Sequence, residues 1–98
     1  MEHSTVPEII ASRTVVVSHP NGLCLRGASA ICKLANVFDA KLEIVKGEQR
    51  IEASDALQVV LLAADCGSHV TLEATGPGAE EAVDALATLF AKNFGLAD

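Results

Sequence analysis

The chain has 98 residues, half of them apolar, a net charge of −6 and three aromatic residues, all Phe. One domain with a core of Val, Leu, Ile and Ala is therefore expected. The negative balance argues against a nucleic-acid partner or a polybasic membrane contact, since both need Lys and Arg opposite phosphate. No apolar run approaches the ~20 residues of a membrane span, and MEHSTVPEII lacks a basic segment followed by an apolar one, so a cytoplasmic protein is expected.

In chain order, residues 1–12 read as a loosely held N-terminal extension that includes His3. From Arg13, the β-branched run Thr14-Val15-Val16-Val17 reads as a strand, broken by the turn signal His19-Pro20-Asn21-Gly22. From Arg26 to Val37, helical spacing of Ala28, Ile31, Cys32, Leu34, Ala35 and Phe38 predicts a helix with Cys32 in its core stripe. Lys41 to Val45 alternates as a strand, Lys46-Gly47-Glu48 turns, and Arg50 to Glu52 returns as the second arm of a hairpin. Ser54 and Asp55 offer cap oxygens to a short helix running to about Ala64. Cys66-Gly67-Ser68 ends it. His69 opens a further strand, in which Val70, Leu72 and Ala74 alternate with Thr71 and Glu73. Gly76-Pro77-Gly78 turns into a last helix striped by Ala82, Val83, Leu86 and Phe90, with Gly95 as its stop. The order is β-α-β-β-α-β-α, and the alternation implies an antiparallel sheet with one wet face and helices on the other.

Cys24, Cys32 and Cys66 form no C-x-x-C pair. Cys24 and Cys32 on one helix would lie about 12 Å apart, too far for a disulfide. Such a set suits a reducing compartment. His3, His19 and His69 show no ligand spacing with them, so neither a metal nor a cofactor is expected.

The chemistry concentrates at Cys24. A glycine turn delivers it to the first turn of a helix, whose leading amides have no internal partners and, with the helix dipole, form an anion site. Arg26 adds a planar fork suited to phosphate or carboxylate. A thiol there has its thiolate stabilised. The alternative, a small buried apolar cysteine beside a solvated arginine, stays open at this point. Cys66, His3 and His69 read as structural. His19 reads as a solvated loop residue rather than a general base folded back on Cys24.

Pro20-Asn21-Gly22-Leu23, Arg26, Ala28, Gly67, Gly76 and the order of elements resemble the HPr family, the small histidine phosphocarriers of the bacterial sugar phosphotransferase system. The resemblance spans about 13–95. It implies an α+β open-faced β-sandwich, a four-stranded antiparallel sheet with three helices on one face. It also implies a phosphocarrier-type protein rather than a turnover enzyme. Its partners would be enzyme I-like and sugar-transporter-like proteins or a regulatory protein partner.

Cys24 then stands where the family has the histidine that takes phosphate from enzyme I and passes it on. Arg26 matches the phosphate-contacting arginine, and Leu25, Arg26 and Gly27 become the phosphate-binding turn. Gly27 replaces a usual proline, which implies a looser helix start. Asp55 falls where many members have a regulatory serine, with Ser54 just before it. The implied partner surface is Leu25, Lys33, Leu57 and Gln58. Asn36 and Gln58 fall where many members have lysine, so acidic partner surfaces meet weaker attraction. Two functions follow: a carrier holding phosphate as a thiophosphate, or a non-phosphorylatable regulatory module of the same fold, with a redox-responsive thiol as a variant of the second.

Overall fold

The protein is described over residues 10–96 by a computed structural model. The alternation of Val70, Leu72 and Ala74 with Thr71, Glu73 and Thr75 builds a strand, His69–Thr75, whose first set is buried and whose second set is not. This strand is β4 in chain order. Around it lie β1 (Ala11–Val16), α1 (Leu25–Ala35), β2 (Lys41–Lys46), β3 (Gln49–Glu52), α2 (Ala56–Leu61) and α3 (Ala79–Ala91). All pairings are antiparallel and the sheet order is β1-β4-β2-β3. The three helices cover one face, where Ile31, Ile44, Leu72, Leu86 and Phe90 are fully enclosed. This is the α+β open-faced sandwich expected from the sequence.

Several boundaries differ from expectation. Ala11 and Ser12 pair with Ala74 and Glu73, so β1 begins inside the expected extension 1–12; the ladder with β4 imposes strand geometry on residues without β-branching. Residues 1–9, and His3 with them, lie outside the described residues. α1 stops at Ala35 rather than Val37, because Asn36 closes it with a side-chain bond from Nδ2 to the Cys32 carbonyl of 2.8 Å. α2 stops at Leu61 rather than Ala64. Ala63 turns left-handed at φ 56, and Lys46 Nζ donates to its carbonyl at 3.3 Å. α3 stops at Ala91, and a short turn follows at Asn93–Gly95.

On the solvent face, register places Ser12, Glu73, Glu43 and Glu52 in one row across all four strands. Three carboxylates side by side repel. Arg50 offsets this by donating from Nη1 to Glu43 at 2.7 Å and to Glu73, and Lys41 approaches Glu43 and Glu52. The hydrogen bonds to Glu73, then to Glu43, hold the Arg50 pKa above its ordinary value.

Candidate functional site

The site is assembled on the segment that joins β1 to α1. Val17 is fully buried, and the α2–β4 loop is tied to it: the Gly67 amide donates to the Val17 carbonyl at 2.7 Å, and the Val17 amide to the Ser68 carbonyl at 2.9 Å. Gly22 sits at φ +68, and a Cβ there would lie 2.7 Å from the Ala64 carbonyl oxygen. Only glycine allows the backbone to pass so close in that conformation. Leu23 follows, buried, with its amide donating to the same Ala64 oxygen at 2.8 Å.

Cys24 is the N-cap of α1, extended at φ −87 and ψ 179, and its carbonyl accepts the Ala28 amide at 2.8 Å. Its thiol caps no amide and is partly exposed. The amides of Leu25, Arg26 and Gly27 have no acceptor among the described residues, since bonding begins at Ala28. The first turn contains no acidic residue, and Arg26, exposed, makes no ion pair among the described residues. Three open amides and the N-cap thiol lie at one helix end, with the exposed Arg26 in the same first turn, an arrangement that favours an anion.

Three neighbouring expectations are corrected. His19 is not solvated; it is 3 % exposed. Its Nδ1 accepts the Asn21 amide at 3.1 Å, which assigns the proton to Nε2, and Nε2 is buried without a partner among the described residues. Neither nitrogen is bonded to Cys24. Cys32 is not core but partly exposed, its thiol donating to the Ser54 carbonyl at 3.1 Å and accepting from Asn36 Nδ2 at 3.4 Å. Helical spacing placed it on the inner stripe, yet the turn that leads into α2 brings the Ser54 carbonyl within its reach.

Gly27 is not an open position either. It is buried, and a Cβ there would stand 3.0 Å from Phe94 Cδ2 and 3.3 Å from Cγ. Phe94 was invisible to a reading of local pattern. Its one signal is a large aromatic residue just ahead of the Gly95 stop.

On α2, Asp55 caps alone: its Oδ1 accepts from the amides of Leu57 at 3.1 Å and Gln58 at 3.3 Å. Ser54 contributes only its carbonyl, to Cys32. Leu25 and Leu57 project from the two packed helices at 69 % and 67 % exposure, with Leu61 also exposed. Lys33 stands in the last turn of α1, exposed. Gln58 turns its Oε1 to accept the Glu52 amide at 3.1 Å, which ties α2 to β3. Cys66 is exposed on the α2–β4 loop. No helix among the described residues is long and apolar enough to cross a membrane. No group of three or more His, Cys, Asp or Glu suited to a metal occurs among them.

Fold and site together define a small α+β open-faced sandwich whose first helix opens on three amides without acceptors among the described residues. Comparison with known proteins specifies the class further. A family model described as "PTS HPr component phosphorylation site" matches residues 11–92. The phosphocarrier protein HPr of Cupriavidus necator is 35 % identical over 83 residues, covering 85 % of this chain and 93 % of that one. The phosphocarrier protein NPr of Shewanella violacea is 34 % identical over 82 residues, covering 84 % and 90 %. The crystal structure of HPr-C-His from Thermoanaerobacter tengcongensis superposes with a TM-score of 0.85 at 26 % identity, covering 91 % of this chain and all of that one. The chain belongs to the HPr family of phosphotransferase-system phosphocarriers.

Proposed function

We propose that the chain carries phosphoryl groups between an enzyme I-like donor and a sugar-transporter-like acceptor in the cytoplasm, with Cys24 as the carrying residue. The observation that supports this most is the set of open amides at Leu25, Arg26 and Gly27 beside a thiol that caps nothing. In the step proposed, the Cys24 sulfur attacks phosphorus on the phosphorylated donor. A P–S bond forms, the bond from phosphorus to the donor breaks, and the electron pair and the thiol proton leave with the donor group. The phosphoryl oxygens then rest against the helix amides and Arg26, which offset their charge before transfer onward.

One observation favours the second reading, a regulatory module. Asp55 holds a constant negative charge at the N-cap of α2, where the family resemblance expects a serine open to modification. A permanent charge there is favourable to the helix and leaves nothing to switch.

Incubation with phosphorylated enzyme I separates the two. Wild type is expected to accept phosphate slowly, because the thiol is shorter than histidine and a misplacement of about 1 Å costs around a hundredfold in rate. Cys24→His should accept it faster, and Cys24→Ser not at all. Acceptance by Cys24→Ser at the wild-type rate would remove Cys24 from the chemistry. Failure of both wild type and Cys24→His would leave the regulatory module.

A further inference from the structure

Three contacts join the turn at Asn93–Gly95 to the site segment. Ser18 Oγ donates to Asn93 Oδ1 at 2.7 Å. The His19 ring lies 6.3 Å from the Phe94 ring, centroid to centroid. The Phe94 ring also covers Gly27 in the first turn of α1. Phe94 is itself 3 % exposed and meets Phe90 edge-on at 5.0 Å. Its backbone sits at φ 61 and ψ 20, between Asn93 at φ 53 and Gly95 at φ 71. A bulky residue enters the left-handed region only where its surroundings impose it.

We propose that Phe94 is a positioning residue for the Cys24 site: its ring, seated on Gly27, sets the height and tilt of the first turn of α1 and so the place of the sulfur relative to the open amides. The proposal rests on the reading of Cys24 as the carrying residue. A glycine at this position is weak helix former, and Ala is otherwise the better choice. Here the missing side chain is the seat for the ring. An added methyl would require a shift of a few tenths of an ångström, and the ring is braced against it by Phe90, His19 and a left-handed backbone linked through Asn93 to Ser18.

The contact is testable as a pair. Gly27→Ala crowds the ring and Phe94→Leu withdraws it, whereas the double variant lets a smaller side chain meet the new methyl. Phosphoryl transfer from enzyme I is measured for each, with rate separated from donor affinity, alongside thermal unfolding. Each single change should lower the transfer rate about tenfold, a few tenths of an ångström being a fraction of the displacement that costs a hundredfold. Donor affinity should hold, and the double variant should recover to within about threefold of wild type by the same scale. Equal rates in all four proteins would overturn the proposal. So would rate losses that follow the unfolding temperature without recovery in the double variant.

If wild type transfers nothing, the carrier reading fails by itself, and the positioning claim is then read by amide NMR with inorganic phosphate as probe. Phosphate-induced shifts at Leu25, Arg26 and Gly27 should be altered by either single change and restored in the pair. Unaltered shifts would overturn it.

Discussion

At Gly22 two constraints coincide, a left-handed φ of +68 and an Ala64 carbonyl oxygen 2.7 Å from where a Cβ would stand. Gly22→Ala should therefore destabilise the fold by about 2–5 kcal/mol, summing the left-handed penalty and overpacking against backbone; chemical denaturation checks it, and a loss under about 0.5 kcal/mol, the range of ordinary surface changes, would count against the close approach. The sequence made Gly22, Cys24, Arg26 and Asp55 legible because turn and cap chemistry is local. The surroundings of His19, Cys32 and Gly27 were not legible, because each is decided by a residue remote in the chain. Phe94 closes over His19 and Gly27, and the Ser54 carbonyl draws the Cys32 thiol outward.

Among the elements, the four strands were legible from period-two alternation and the helices from their stripes, whereas their ends were set by partners. Ala11 and Ser12 became strand through β4, and α2 lost its last residues to the left-handed Ala63. The row of Glu73, Glu43 and Glu52 is likewise a product of register rather than of any one strand. Arg50 holds it together, its pKa raised by hydrogen bonds to Glu73 and then Glu43. For a base with a raised folded pKa, the stabilisation is complete below the unfolded pKa and lost only as pH climbs through the folded one. For an arginine that window lies far into alkali, so Arg50 stays charged across working pH. Removing it leaves adjacent like charges, a screened repulsion. Arg50→Gln should lower the unfolding temperature at low salt, with the difference from wild type narrowing as salt rises. A difference that stays constant with salt would show that the row is held by packing.

Across the whole molecule, the net charge of −6 accompanies exposed Leu25, Leu57 and Leu61 on the packed helices α1 and α2, with Arg26 and Lys33 as the cations of α1 and Asp55 at the start of α2. If these leucines meet the partner, docking relies on apolar contact more than on long-range steering, which falls steeply with ionic strength. Transfer from enzyme I should accordingly change by less than about twofold between roughly 0.05 and 0.3 M salt, a range over which the Debye length more than halves. A tenfold decline would assign the encounter to charge.

The place where Cys24 sits is bounded by segments from the start, middle and end of the described chain: Val17 to Gly27, Ala64 to Gly67, and Asn93 to Gly95. None of the three can shape the helix end alone. A nascent chain whose last strand and closing turn are still unmade would have the cysteine and the arginine but not the seat that aligns them. On the reading proposed for Cys24, a copy that lacks its closing turn would not yet be able to take up phosphate.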